Sequence, residues 1–181
     1  MSKVTPEEGT RMWLYLPALQ QAKELSASRQ EGSFAGSTIS FEEIGSWSMS
    51  EEYNAEIVEK TEIEIGEELL PAYELALTPK EGADPQYPKR RVWIGEGNWL
   101  LLHSKDFNSE GEIQKDMKVN ELTTFEGNKV TKELVTTDVE TGASTTVIYE
   151  TRKRLAEEIP DSLFDPENLS TFDPARWGLT E

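Results

Sequence analysis

The most constraining feature of this chain is a strict two-residue alternation that starts at Tyr53. Odd positions read Tyr53, Ala55, Ile57, Glu59, Thr61, Ile63 and Ile65, while even positions are mostly Asn or Glu, with Val58 breaking the pattern. Side chains of an extended strand point alternately to opposite faces, so this spacing predicts a long half-buried β-strand with one apolar and one acidic face. Tyr73, Leu75 and Leu77 repeat the pattern after a turn at "IGEE". "KRRVWIGEGNWLLLHSKDF" then reads as two strands joined at Gly95-Glu96-Gly97-Asn98, which has strong turn chemistry. "NSEG" (108–111), "EGN" (126–128) and "ETGAS" (140–144) separate three more strand-like runs, over 112–125, 130–138 and 145–154. Turns spaced this regularly describe an antiparallel meander.

Helical signal is scarce. Ser40 can cap "FEEI" with Glu43 at the capping-box position, and a turn falls near 166–169. The expected fold is therefore mainly β, a wide curved antiparallel sheet with little helix, in a single domain over residues 1–181. The C-terminal "PDSLFDPENLSTFDPARW" carries Leu163, Phe164, Leu169, Phe172 and Trp177, and such a tail is expected to pack along the sheet.

Charge narrows the partners. The formal net charge is −17, which opposes phosphate backbones and anionic headgroups, so nucleic acid is not an expected partner. From 40 to 84 there are thirteen Asp or Glu against two bases, Lys60 and Lys80. That stretch reads as a solvated face, with a docking surface for a basic partner as the alternative. No apolar run approaches the length of a transmembrane helix, and "MSKVTPEEGTRMWLYLP" lacks the charged and apolar regions of a signal peptide.

Chemistry is hard to find. His103 is the one histidine; on a strand it would share a face with Trp99 and Leu101, and no G-x-S-x-G elbow supplies a nucleophile. With no cysteine, a zinc site is not expected and no metal or cofactor is assigned. "DFNSEG" (106–111) imitates the start of a calcium loop, but Met117 stands where the bidentate Glu belongs, so it reads as a hairpin turn. The chain is read as non-enzymatic, with a hydrolase using His103 as the remainder. What stands out is aromatic surface on strands: Trp13, Tyr15, Tyr73, Trp93, Trp99 and Tyr149. A broad sheet needs a cover for its apolar face. Either these residues are ordinary sheet core, or another chain or segment covers them, or they line a cavity for an apolar ligand.

"MWLYLPAL" (12–19), a short polar strand, and "GSFAGSTISFEEI" (32–44) resemble the start of the LolA-like family of outer-membrane lipoprotein-sorting proteins. "YPKRRVWIGEGNWLLLHSKDFNSEGE" (87–112) resembles the family's paired strands, and "EIPDSLFDPENL" (158–169) its C-terminal signature. The chain departs from the pattern at Thr38, where the family has Asp, at Ile39 for Phe, at Glu43 for Asp, and at "KELS" (23–26) for an Arg-Arg-Ile-Ser strand. Relative to that family the chain reads as N-terminally truncated, lacking a signal peptide, a helix and the first strands. The resemblance implies an incomplete β-barrel around an apolar cavity, periplasmic or cell-envelope localisation, and binding or transport of lipid or lipoprotein acyl chains. An envelope protein partner goes with that role. On this reading Trp13, Tyr15, Phe34, Phe41, Tyr73, Leu75, Leu77, Trp93 and Trp99 line the cavity, and the Ser/Gly-rich loop 26–38 is its mobile mouth. The alternative is a ligand-free interaction module that pairs through its sheet face or edge, most naturally as a homodimer.

Overall fold

A computed structural model of the chain describes residues 2–5, 9–19, 21–26, 32–45, 49–155 and 159–177. It divides into two compact units, one of 1–33, 40–47 and 153–181, the other of 34–39 and 48–152.

The larger unit is the meander. Its strands are β4 (Tyr53–Ile65), β5 (Glu68–Pro79), β6 (Lys89–Gly95), β7 (Leu101–Phe107), β8 (Ile113–Phe125), β9 (Asn128–Asp138) and β10 (Ser144–Ile148). Each pairs antiparallel with its sequence neighbour, so the order is β10-β9-β8-β7-β6-β5-β4. The turns are built as their sequences demand. Gly66, Gly97, Gly111, Gly127 and Gly142 all sit at positive φ, and Asn108 Oδ1 accepts from the amides of Glu110 and Glu112. "DFNSEG" is thus a hairpin turn. Three strands separate β4 from β8, which in a flat sheet means about 19 Å. Yet Ile65 of β4 and Val119 of β8 belong to one buried cluster with Ala72 and Leu102. The sheet therefore curls over at this end, and with β4 and β10 each paired on one side only, it stays open.

Three sequence expectations need correction here. β4 forms over the expected residues, but its middle is not half-buried: Ile57 is 64% exposed. The reason is position, since β4 is an edge strand with a neighbour on one side. Val58, which breaks the alternation, is the extra residue of a β-bulge between Ile57 and Glu59. The last strand is short, β10 ending at Ile148 rather than 154. Trp99 is not on a strand beside His103; it closes the β6–β7 turn at φ 57°.

The smaller unit holds a second, three-stranded sheet, β1 (Ser2–Thr5), β2 (Gly9–Leu16) and β3 (Gln21–Leu25), in the order β1-β2-β3. β1 was not legible from its sequence. The expected strand containing Trp13 and Tyr15 is β2. Helix α1 (Phe41–Gly45) begins with the predicted capping box: Glu43 N donates to Ser40 Oγ at 3.1 Å, and Ser40 N donates to Glu43 Oε2 at 2.6 Å. A 3-10 segment, Pro166–Thr171, packs along β2 and β3, and Asp165 accepts from Glu167 N at its start. A second short helix, α2 (Met49–Glu52), leads directly into β4 in the larger unit.

Candidate functional site

The strand registers sort the expected lining residues by face. Across the larger sheet, Ile57, Leu75, Val92, Ser104, Met117, Thr136 and Thr145 stand in one row. The next row on that face runs Ala55, Leu77, Arg90, Asp106, Lys115 and Asp138. Buried in these rows are Leu77, Val92, Ser104, Asp106, Lys115 and Thr136, so this is the face the unit covers. Leu77 and Val92 form a cluster with Tyr53, and Met49, Leu75, Ile94 and Leu101 pack against it half-buried. Full burial of each such side chain contributes about 1.5–3 kcal/mol. Leu75 and Leu77 are therefore brought together, as the sequence suggests. Val92, Ile94, Leu101, Met49 and Tyr53 complete the patch; alternation along β6 signals Val92 and Ile94, whereas Leu101 follows a break in the β6–β7 register and Met49 and Tyr53 come from α2 and the start of β4.

The apolar patch ends against charge. Arg90 donates Nε to Asp106 Oδ1 at 2.6 Å and Nη2 to Oδ2 at 3.1 Å, with the carboxylate side chain 2% exposed. Its guanidinium lies 5.8 Å from the ring centre of Tyr53 and 5.5 Å from that of Tyr87. Lys115 Nζ is 5.7 Å from the same Tyr87 ring, and Tyr53 donates its hydroxyl to the Tyr87 carbonyl at 2.8 Å. Arg90, Asp106, Lys115 and Asp138 thus alternate in sign over four neighbouring strands. Burial pushes the Tyr53 phenol up to about 12. Desolvation works against the Arg90 charge, but Asp106 outweighs it and holds the guanidinium more firmly protonated than usual.

Over β9 and β10 the cover is the loop 34–39. Thr38 donates its amide to Thr145 Oγ1 at 2.8 Å and its hydroxyl to the Thr136 carbonyl at 2.9 Å. Thr38, standing where the resembling family has Asp, so ties the loop through two donated hydrogen bonds, one from its amide and one from its hydroxyl. Phe34 begins this loop and is 39% exposed. Of the expected mouth loop, 27–31 lie outside the described residues.

Trp93 lies on the opposite face from Leu75 and Leu77. Its row is Glu59, Glu74, Trp93, His103, Lys118, Val135 and Thr146, a half-buried to exposed and mostly polar set. Trp93 stacks on His103 with centroids 4.5 Å apart, and His103 Nε2 is 3.1 Å from Asp116 Oδ1. Burial lowers the His103 pKa below the ordinary value, with Asp116 opposing. Tyr73 follows Leu75 on the cluster's side of β5, but its hydroxyl donates to Glu96 Oε1 at 2.9 Å, and Lys60 Nζ donates to the same oxygen at 2.7 Å. In the smaller unit, Trp13 and Tyr15 share one face of β2, Trp13 under the Arg11 guanidinium at 4.9 Å, and Phe41 is half-buried at the start of α1.

Among the described residues no group of three or more His, Asp or Glu has a metal-holding arrangement, and no helix is long and apolar enough to cross a membrane.

A family model described as that of an uncharacterized protein matches residues 1–171. Among solved structures, a DUF1329 family protein from Desulfovibrio piger superposes with a TM-score of 0.78 at 22% identity, covering 93% of this chain and 68% of that one. A putative outer membrane lipoprotein-sorting protein domain from Vibrio parahaemolyticus gives 0.75 at 21% identity, covering 90% and 66%. A LolA superfamily protein from Nitrosomonas europaea gives 0.64 at 17% identity, covering 88% and 68%. The chain spans about two thirds of the length of these three. No curated protein matches it. At such identities the likeness establishes the fold, an incomplete antiparallel barrel.

Proposed function

This chain belongs to the family of uncharacterized proteins whose model spans residues 1–171, a family of LolA-like fold, and from that premise we propose that it binds an acyl chain without catalysing a reaction. The observation that carries the reading is the patch of Leu75, Leu77, Val92, Ile94, Leu101 and Met49 on one face of a sheet that curls but does not close. An open curled sheet can admit a chain sideways, and this patch supplies apolar surface that is only half-buried at Leu75, Ile94 and Leu101. Enclosing about 14 methylenes at ~0.8 kcal/mol each gives roughly 11 kcal/mol before association costs. Those costs offset several kcal/mol and leave binding in the micromolar range or tighter. Lipoprotein cargo in the cell envelope accords with the likeness to the outer membrane lipoprotein-sorting protein domain from Vibrio parahaemolyticus, and an envelope partner would deliver or receive it.

The test is native mass spectrometry on protein purified from a lipid-containing host, followed by lipid extraction. Near-stoichiometric acyl species are expected on the wild type and absent from Leu75→Glu, with circular dichroism confirming that the variant is folded. A clean ligand-free mass for the wild type overturns the proposal. A second reading, a ligand-free module that pairs through its sheet edge, is favoured by the exposure of Ile57 and Val58 on β4. A strict monomer by light scattering at high concentration removes it.

A further inference from the structure

β4 runs for 13 residues along an edge of the larger sheet and, among the described residues, pairs with β5 alone. The register settles which main-chain groups it leaves over. The Pro71 carbonyl accepts from Glu96 N at 2.8 Å, so Pro71 turns its backbone toward the β6–β7 turn and away from Glu62, its partner on β4. Opposed residues of an antiparallel pair alternate between bonded and non-bonded, so Glu62 lies in a non-bonded pair and its own N–H and C=O point out of the sheet. The same alternation turns Lys60 and Glu64 outward and, beyond the Val58 bulge, Ala55 and Ile57 opposite Leu77 and Leu75. At the far end of β5 the Lys80 amide donates to the Glu52 carbonyl at 2.8 Å, which fixes the same phase. All five outward residues are exposed. Ile57 and Val58 add apolar surface at 64% and 46% exposure. Glu56, Glu59, Glu62 and Glu64 make no ion pair among the described residues, while Lys60 is held by Glu96.

We propose that this edge takes up an extended, Lys- or Arg-rich segment of a partner protein as an added strand. The outward N–H and C=O groups supply the ladder hydrogen bonds that give strand addition its affinity, and the side chains select the strand. An incoming strand sets its side chains opposite those of β4. Basic residues at alternate positions then meet Glu62 and Glu64, and an apolar one meets Ile57. Like charges directly opposed are unfavourable, so an acidic strand is rejected. A second copy is rejected too, because its β4 brings the same four glutamates and a lysine engaged by its own Glu96. This docking uses the edge alone and needs neither acyl cargo nor pairing between copies.

Fluorescence anisotropy tests it with labelled synthetic peptides of about nine residues, one alternating Lys with Val and a counterpart alternating Glu with Val. The wild-type protein is expected to bind the Lys peptide about tenfold or more tighter than the Glu peptide, and added salt is expected to weaken that binding. Glu62→Pro removes one outward N–H but no β4–β5 bond, a place where edge strands accept proline. With circular dichroism unchanged, it is expected to lower binding about tenfold or more. Glu62→Lys combined with Glu64→Lys leaves the backbone intact and is expected to abolish the preference for the Lys peptide. Failure of the Lys peptide to bind the wild type, equal affinity for the two peptides, or an unchanged preference in the double variant overturns the proposal. A folded Glu62→Pro that binds at wild-type strength overturns it as well. So does a wild-type dimer that Glu62→Pro dissolves, which would put a second copy on the edge.

Discussion

Replacing Asp106 by Asn removes one charge from the buried ladder and almost no volume. In the native protein Asp106 takes two hydrogen bonds from Arg90, whose own side chain is 15% exposed and lies beside the rings of Tyr53 and Tyr87. The guanidinium cannot shed its proton, so in Asp106→Asn it stays charged without the ion that compensates its lost hydration. Removing one member of a buried pair costs about 3–5 kcal/mol. For a chain of 181 residues, each kcal/mol moves Tm by about 2–4 °C, so the loss is roughly 6–20 °C. Urea unfolding followed by circular dichroism measures the same difference as a shift in midpoint at constant slope. The double variant Arg90→Met with Asp106→Leu leaves no orphaned guanidinium and keeps Asp138 beside Lys115, so it is expected to recover part of the loss. A cost below about 1 kcal/mol for Asp106→Asn, or a double variant as unstable as the single one, refutes the argument that the buried charge dominates.

Ser40→Ala removes the acceptor for Glu43 N at the start of α1 and is expected to cost about 1 kcal/mol, measured by thermal melting; no change would mean that the cap is satisfied by solvent. His103 is the chain's one histidine, so its ring proton is readily followed by NMR, and burial is expected to place its midpoint below 6.5. Because the folded pKa is depressed, the unfolded chain binds the extra proton first. Stability is therefore full above about pH 6.5 and falls as pH drops through the folded pKa. Asp116→Asn lowers the midpoint further, since that carboxylate opposes the shift; a midpoint at or above 6.5 in the wild type contradicts the burial account.

Much of the larger sheet was legible because its signals are local. Alternation from Tyr53, the Gly-containing turns at 95–98 and 108–111, and the Ser40–Glu43 box each depend on residues a few positions apart, and each element formed, although β4 is more exposed than its alternation implies and the first turn takes in Trp99. Even the β4 bulge had a local mark at Val58. The candidate site was legible only in part. Leu75 and Leu77 follow from their own strand, whereas Trp93 joins them only as a strand aromatic under the family resemblance. Facing is set by register: Trp93 opposes Glu74 on β5 and His103 on β7, which places it with the polar row. Trp99 was assigned to a strand because its neighbours are apolar, but the Asn98 side chain and the Gly95 backbone close the turn one residue later than the motif suggests.

The sequence by itself determined that this chain is an antiparallel meander with little helix, because strand periodicity and turn residues act over short distances that need no knowledge of neighbours. Only the tertiary structure decided which strand is an edge, which face is covered, and where opposite charges meet. Arg90, Asp106, Lys115 and Asp138 are dispersed along the chain and form a ladder solely because four registers coincide. Periodicity also leaves β4 looking half-buried, and its exposure follows from having one neighbour rather than two. Burial is a property of what lies alongside a strand, and that is fixed by the order and curl of the sheet.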